Sequence, residues 1–363
     1  MNRLTAIGLA SLVAYGLLIA SKYTGVVSAA REDQPVKPSR AAATESAAPS
    51  PLEPLRAEAR PSPIDLPPPV ARVEPTKLSP AALEFRAARD LKSFADGLFA
   101  RRASLNADER YHLARALEEC QFATTINEDL AAYSAKQRRQ FLATLPAGDP
   151  QNAKRISAYE AVDNTQRCIG FQNAKISAKD IEDLYRAAAQ QGDPRAQARM
   201  LTAELNRNLN STPRTTDVQG QNTVLPRDDM SRMIGLLQSG DPEAMLIVGQ
   251  FLAQSAMASQ LRVGPNGEVP EPSAFLGGFS LVACDLGQDC SQMNREPLMA
   301  CAYAGYCNAQ SFEELYQNFL ASPWAYTQAM RYRGLIHTAI ATQNWSLIGL
   351  VPPPLSAPVT GAQ

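Results

Sequence analysis

The tripeptide Gly-Asp-Pro occurs three times in this chain of 363 residues, and its copies start 44 and 48 residues apart. Glycine suits the position just past a helix end, where the backbone often turns left-handed. Aspartate is a good N-cap for the next helix, and proline suits the first helical position, where no N–H is needed. Each copy therefore predicts a corner between two helices, and the spacing predicts an α-helical repeat array. The copies are Gly148-Asp149-Pro150, Gly192-Asp193-Pro194 and Gly240-Asp241-Pro242.

Helix start signals continue through residues 79–350. Ser79-Pro80 and Ser322-Pro323 each combine an N-cap with a first-turn proline, and Ser177-x-x-Asp180 and Ser311-x-x-Glu314 are capping boxes. No stretch alternates polar and apolar residues between hairpin turns. We therefore predict an all-α domain, a short and irregular α/α superhelix. Two irregular stretches, 206–223 and 263–272, are interpreted as insertions on one side of the array, with functional loops as the alternative.

The N-terminus predicts export. Arg3 and the α-amine precede an apolar run over residues 4–20. As a signal peptide, residues 1–30 offer cleavage after Ala29 in Val27-Ser28-Ala29. As an uncleaved anchor, the run is at the short end of what spans a bilayer. The run is long for the apolar part of a signal peptide, so we adopt the anchor in a bacterial inner membrane and keep cleavage as the alternative.

Residues 31–78 predict a disordered, proline-rich linker. They contain neither an aromatic residue nor a glycine, and 12 of the 27 prolines lie between Pro35 and Pro80. Such a composition buries too little apolar surface to offset chain entropy, and its prolines favour polyproline-like stretches. Residues 351–363 form a similar, shorter tail.

The cysteine pattern predicts disulfides. Six cysteines, an even number, lie within the expected folded part of an exported chain. The last four follow the pattern C-x5-C-x10-C-x5-C, whereas zinc sites more typically show C-x2-C pairs. Cys120 pairs with Cys168 by elimination, and three connectivities stay open for the others, which staple the domain from about residue 273. The last four are Cys284, Cys290, Cys301 and Cys307.

The sequence offers little evidence of catalysis. Adjacent helical residues do not face the same way, so the pairs Glu118-Glu119 and Glu313-Glu314 make poor acid–base couples. His112 and His337 have no accompanying nucleophile motif, and no nucleotide or metal loop is present. A net charge of −1 without a basic block argues against nucleic-acid binding. We therefore predict no catalytic, cofactor-binding or metal-binding residues and no nucleic-acid partner.

The segment from Tyr185 to Gln197 resembles the junction of Sel-one-like repeats, a branch of the tetratricopeptide-like superfamily. An alanine pair precedes Gly192, and Ala196 follows it at the spacing typical of that family. The copy at Gly240 continues with Ala244, Val248, Gly249 and Phe251, and the likeness covers about residues 177–258. The family's second glycine-rich loop is missing. The resemblance implies an α/α superhelix that binds proteins and implies no catalysis, and Ala188, Ala196 and Gly249 are expected to let paired helices approach closely.

A cluster of aromatic and basic residues on the last long helix is a candidate interface, because tyrosine and arginine are enriched at binding hot spots. A terminal helix with a wet outer face is the alternative interpretation. The cluster consists of Tyr326, Arg331, Tyr332 and Arg333.

These features favour a periplasmic scaffold or assembly factor of the bacterial cell envelope. It would be tethered to the inner membrane by residues 4–20 and would bind a protein or peptide partner. One alternative is an envelope enzyme of the cell-wall hydrolase type on a helical scaffold. The other is a secreted soluble binding protein.

Overall fold

The computed structural model describes residues 78–211, 225–255 and 257–351. By internal contacts the chain divides into Met1–Asp65 and Leu66–Gln363, and every described residue belongs to the second unit. The predicted anchor, nearly all of the linker and all but the first residue of the tail lie outside the described residues. Within them the chain is helical and forms no β-strand, only isolated bridges at Val263–Glu268 and Ser291–Ser311. The all-α prediction is confirmed.

The helices are numbered in chain order. They are α1 Pro80–Ala87, α2 Leu91–Phe99, α3 Ala107–Cys120, α4 Leu130–Ala143, α5 Asn152–Val162, α6 Thr165–Cys168, α7 Ala178–Gln190, α8 Pro194–Ser211, α9 Arg227–Gln238, α10 Pro242–Gln254, α11 Pro272–Asp285, α12 Arg295–Met299, α13 Phe312–Leu315 and α14 Pro323–Thr342. Helix α3 packs on α7, α7 on α8, α8 on α10, α10 on α11, and α11 on α14. This succession gives the helical repeat-like architecture that the sequence predicted.

Two Gly-Asp-Pro copies form the predicted corners. Gly192 and Gly240 follow the ends of α7 and α9 with φ of 93° and 70°. Asp193 and Asp241 then accept from the backbone N–H groups three residues on, at 2.9 and 2.8 Å. At the first corner the N–H of Asp193 also donates to the carbonyl of Ala188 at 3.1 Å, which closes a Schellman motif.

The copy at Gly148 is different. Gly148 is left-handed, with φ of 76°, but α4 has already ended at Ala143. Asp149 accepts from the N–H of Gln151 at 2.8 Å, and α5 begins only at Asn152. The tripeptide here forms a turn within the loop between α4 and α5, because the residues on either side of it belong to neither helix.

The small residues at the helix interfaces allow the close approach that was expected of them. A Cβ atom on Gly249 would lie 2.3 Å from Cγ of Phe279 on α11. Ala188 and Ala196, on either side of the first corner, are fully buried. Backbones therefore approach where the side chains are smallest.

Some predicted boundaries were wrong. After Ser79-Pro80 the apolar residues from Leu83 to Leu98 recur at helical spacing, as in one continuous helix, but the chain breaks after Ala87 and Asp90 caps a second helix by accepting from the N–H of Lys92 at 2.9 Å. Leu83 is consequently exposed. The irregular stretch predicted from residue 206 is helical as far as Ser211, the last residue of α8.

All six cysteines are paired. Cys120 is bonded to Cys168, which confirms that prediction, and the two other bridges join Cys284 to Cys290 and Cys301 to Cys307. Of the three open connectivities the chain therefore adopts the one that joins nearest neighbours. The first bridge ties α3 to α6 inside the buried cluster that runs from Phe85 to Ala196, which is called the main core below. Three disulfides indicate an oxidising, extracytoplasmic environment.

The second irregular stretch is a tight loop fastened to the C-terminal helix. Gly264 and Gly267 take left-handed conformations, and Val263 and Glu268 exchange backbone hydrogen bonds. Arg331 on α14 donates to both carboxylate oxygens of Glu268, at 2.5 and 3.0 Å. The loop thus closes one end of the fold.

Candidate functional site

A group of interacting arginine, glutamate and tyrosine side chains lies where α3, α7, α8 and α10 meet. We call it the arginine network. Its members on α3 lie at positions i, i+4 and i+7, so one face of that helix carries all three. The network consists of Tyr111, Arg115 and Glu118 on α3, Tyr185 on α7, Arg199 on α8 and Glu243 on α10.

Glu243 is the acceptor at its centre. One carboxylate oxygen accepts from both the Tyr111 hydroxyl and the Arg115 guanidinium. The guanidinium of Arg199 lies 3.9 Å from the same oxygen. Because Glu243 occupies the first turn of α10, the helix dipole adds to the favourable field around its charge. A carboxylate from the second corner is therefore held by side chains of α3 and α8.

Glu118 is the second acceptor. It accepts from the Tyr185 hydroxyl at 2.7 Å and from Arg199 at 3.1 Å. The Arg199 guanidinium also lies 5.0 Å from the centre of the Tyr185 ring, within cation–π range. Arg199 thus contacts both acceptors, Glu118 and Glu243, and the polar contacts of the network connect α3, α7, α8 and α10.

The tyrosines of the network are buried, and its charged side chains are partly exposed. Tyr111 has no exposed surface, whereas the side chains of Arg115, Arg199 and Glu243 remain 26%, 29% and 27% exposed. The tyrosines are therefore wholly enclosed, while the charged groups above them stay within reach of solvent or of a partner.

The electrostatics keep the network in one ionisation state at neutral pH. Burial, reinforced by the charge of Glu243, raises the pKa of Tyr111 to about 12. Burial acts to raise the pKa of Glu243 as well, but the charges of Arg115 and Arg199 outweigh it and leave that pKa below its usual value. The tyrosines are neutral donors and the glutamate is an anion.

A second cluster adjoins the first around Arg195. Its guanidinium donates to Asp108 at 2.7 Å and to Asp193 at 2.6 Å, lies 3.3 Å from the His112 ring, and stacks 4.2 Å from the centre of the Tyr111 ring. Burial opposes ionisation of Asp108, but hydrogen bonds from His112 and Arg195 outweigh it and hold its pKa far below its usual value. The corner residue Asp193 therefore both caps α8 and binds an arginine.

Sequence reasoning did not find these two clusters. The i, i+4 spacings of Tyr111 with Arg115 and of Arg195 with Arg199 were a signal that each pair shares a helix face. Nothing in the sequence indicated that the face of α3 meets the first turn of α10, more than a hundred residues away.

The adjacent carboxylates considered at the sequence level diverge. Glu118 belongs to the network, while Glu119 lies 3.4 Å from Arg167 and 3.7 Å from Arg115. Glu313 lies 3.3 Å from Arg333. Glu314 accepts from the backbone N–H of Gln310 at 2.8 Å, so it acts in the helix cap. Each of these carboxylates has a partner within the chain, and no two converge on an open cleft.

The four candidate interface residues on α14 are separated by the fold. Tyr332 is buried against Phe275, and its hydroxyl accepts from the N–H of Glu271 at 3.1 Å, so it is not available to a partner. Arg331 binds Glu268. Arg333 binds Asp285 and Glu313, and the Tyr326 hydroxyl lies 3.5 Å from Glu313. For Tyr326, Arg331 and Arg333 the interface stays a prediction.

The buried carboxylate of Asp285 on α11 binds two side chains of α14, Arg333 and His337. Its Oδ2 atom accepts from Nε of Arg333 at 2.7 Å and lies 2.8 Å from Nε2 of His337. Burial opposes the charge of Asp285, but the hydrogen bonds from His337 and Arg333 outweigh it and hold its pKa below the usual value. These contacts fasten α11 to α14.

Two grooves mark the surface of the described residues. One, of about 590 Å³, lies between α7, α8 and α9 and has a charged rim that includes Arg186, Glu204 and Arg232. The other, of about 470 Å³, lies between α5 and the segment that carries the disulfide Cys301–Cys307. Both grooves have mainly apolar walls.

Within the residues that the structure describes, no three histidine, cysteine, aspartate or glutamate side chains are grouped as metal ligands. In the same residues no helix combines the length and the apolar character needed to cross a bilayer. The apolar run over residues 4–20 is not among them.

Comparisons of the chain with protein-family models, with curated proteins and with solved structures find no match. The likeness to Sel-one-like repeats therefore stays a prediction made from the residues of the two corners.

Proposed function

We propose that this chain is an extracytoplasmic scaffold that binds a protein or peptide in the bacterial cell envelope, with the arginine network as the centre of its binding surface. The observation that carries the proposal is the layered arrangement of the network. Wholly buried tyrosines support arginine and glutamate side chains that are about a quarter exposed.

Such an arrangement suits recognition of a polar peptide. Arginine and tyrosine dominate the energetics of many protein interfaces, and guanidinium groups donate in a fixed planar fork. Here the neighbouring carboxylates and rings already hold that fork in place, so little side-chain entropy is lost on binding. Both signs of charge are present, which favours a ligand of mixed charge over a polyanion.

The proposed setting combines the disulfides with the N-terminal sequence. If residues 4–20 anchor the chain, a 48-residue linker spans up to about 150 Å as an extended polyproline helix. The array would then hold its partner away from the inner membrane. N-terminal sequencing of the mature protein tests this setting: a start at Ala30 contradicts the anchor and leaves a soluble periplasmic or secreted protein.

In-cell photocrosslinking tests the binding surface. Ile247 lies one turn beyond Glu243 on the same face of α10 and is partly exposed, so it is a suitable place for a photoreactive amino acid. Lys179, which is 80% exposed on α7, is the control position. We expect a discrete adduct with an envelope protein from position 247 and none from position 179.

A matched pair of variants sharpens that test. Arg199→Lys keeps the charge but loses the planar fork, and we expect it to reduce the adduct from position 247. Arg186→Lys makes the same change at an exposed arginine outside the network and should leave the adduct unchanged. Equal adducts from the two probe positions, or indifference to Arg199→Lys, would contradict the proposal. Cleavage of cell-wall substrate by the purified chain, lost on changing Glu119 or Glu314, would support the enzymatic alternative instead.

A further inference from the structure

The second groove lies in the part of the molecule that the proposed binding surface does not use. One wall is α5, which presents mainly small side chains there, among them Ala153, Ser157 and Ala161, together with Lys154. The other wall carries Met293, Pro297 and Tyr306, and Met293 is 68% exposed. Because most residues of one wall are small and most of the other are apolar, the groove is an open and mainly apolar channel with a few polar side chains.

The groove is held open by bonds on both sides. The disulfide Cys301–Cys307 and the backbone hydrogen bond from Gln292 to Gln310, at 3.0 Å, fix the shape of the second wall. Arg155 on α5 is buried and donates to the carbonyl of Ala302 at 3.1 Å, which fixes the spacing between the walls. The channel therefore exists before anything binds, and binding requires little rearrangement.

An aromatic pair borders the groove. The Tyr306 ring lines it and stacks on Phe319, with ring centres 4.5 Å apart, and Phe319 is 40% exposed. Apolar grooves with aromatic walls are the usual receptors for polyproline helices, whose backbone is already extended and loses little entropy on docking.

The chain itself carries such a ligand in the sequence that precedes α1. Pro67-Pro68-Pro69 is followed by Val70, and consecutive prolines favour the polyproline conformation because each ring fixes φ and restricts the residue before it. We propose that the segment 66–73 of this chain docks in the groove between α5 and the Cys301–Cys307 loop, as an intramolecular strap.

The tether is long enough to reach the groove from the start of α1. Arg86, in the last turn of α1, lies 3.6 Å from Asp289, three residues before the first groove residue, Gln292. Leu78, where the described chain begins, is eight residues before Arg86, or about 12 Å along a helix. The ten residues from Pro68 to Leu78 span about 31 Å as a polyproline helix.

A second proline triplet provides a control within the same chain. Pro352-Pro353-Pro354 precedes Leu355 in the C-terminal tail. That tail leaves the fold at Val351, next to Gly349, whose Cα lies against the backbone of Arg262. Neither Arg262 nor its neighbours line the groove. We therefore expect only the first triplet to occupy it.

Photocrosslinking in the purified, oxidised full-length chain tests the strap. A photoreactive amino acid replaces Val70 in one variant and Leu355 in another, and the adducts are located by peptide mass spectrometry. We expect position 70 to crosslink to residues 153–161 or 292–310 and position 355 not to. In a mixture of isotopically light and heavy chains, the adducts should join peptides of the same chain.

Variants of the groove complete the test. Ala161→Trp fills the exposed wall of α5 and should lower the adduct yield from position 70 about tenfold, since one or two strap side chains lose their burial. Ala135→Trp, at an exposed position of α4, is the matched control and should not change the yield. Ser157→Trp is a second filling variant if Ala161→Trp does not fold. Adducts spread over the surface, adducts only between chains, or a yield unaffected by filling the groove would each overturn the proposal.

Discussion

The main core and the cysteine-rich segment are held together by different kinds of contact. In the main core, helices such as α3 and α7 are 14 and 13 residues long and bury whole faces against each other. In residues 284–320, which we call the stapled region, α12 and α13 continue into the π-helical turns Ala300–Ala304 and Tyr316–Leu320, and the combined segments have ten and nine residues. These segments are shorter than α3 and α7, and the stapled region contributes only small buried clusters.

The disulfides follow the same division. The bridge of the main core joins cysteines 48 residues apart, whereas both bridges of the stapled region join cysteines six residues apart. A long closed loop loses more entropy in the unfolded chain than a short one. The long bridge therefore stabilises tertiary packing, while the short ones fix the local shape of segments that bury smaller clusters.

Removal of the long bridge is expected to have the largest effect. In the variant Cys120→Ala/Cys168→Ala, the free energy of unfolding should fall by about 4 kcal/mol, because a loop of that length regains its entropy in the unfolded chain. Denaturant unfolding followed by circular dichroism measures the change. A loss no greater than that from removing a short bridge would contradict the division between the two regions.

The next largest effect is expected at Glu243. Glu243→Ala leaves Tyr111, Arg115 and Arg199 without their shared acceptor and should reduce the free energy of unfolding by about 3 kcal/mol. Glu243→Gln keeps the shape and part of the hydrogen bonding and should cost less. Denaturant unfolding of both variants at neutral pH separates the two, and equal losses would show that packing, not charge, matters at this position.

Glu243 also predicts a pH dependence of the main core. Because its pKa is lower in the folded chain than in the unfolded one, its contribution is complete above the usual value of 4.5 and is lost as the pH falls toward the lowered value. The free energy of unfolding should therefore decline below about pH 5, and less steeply in Glu243→Gln than in the unmodified chain. Parallel slopes for the two proteins would assign the acid sensitivity to other carboxylates, such as Asp108.

A short bridge should contribute about half as much as the long one. For Cys301→Ala/Cys307→Ala we expect a loss of about 2 kcal/mol, since the loop that it closes is short. We also expect amide hydrogen exchange to accelerate in residues 292–310 and to stay unchanged in α3 and α7. Faster exchange across the main core would show that the two regions unfold together.

The smallest effect tests helix packing in the array. Gly249→Ala places a Cβ atom against Phe279 and should destabilise the fold by about 1–2 kcal/mol. The overpacking costs more than this, but the better helix propensity of alanine offsets part of the cost. Gly235→Ala is the matched control, because a Cβ atom there meets nothing within 4 Å. We expect Gly235→Ala to be neutral or stabilising by up to about 1 kcal/mol. The midpoint of thermal unfolding of each variant, compared with that of the unmodified chain, measures both effects.

The sequence by itself determined the features that rest on neighbouring residues. The corners at Gly192 and Gly240 were predictable because the left-handed glycine, the capping aspartate and the first-turn proline act within five or six residues of one another. The all-α class, the capping box at Ser177 and the pairing of Cys120 with Cys168 followed from equally short patterns and from counting.

Only the tertiary structure decided which helix faces meet. Glu243 reaches Tyr111 and Arg115 because α10 packs on α8 beside α3, and no local pattern encodes a contact across 128 residues. Tyr332 looked like a surface residue beside Arg331 and Arg333, yet Gly278 allows α14 to approach α11 closely, with Tyr332 at the contact. Helix packing depends on how side chains of distant segments fill one another's gaps, so it is settled by the folded chain as a whole.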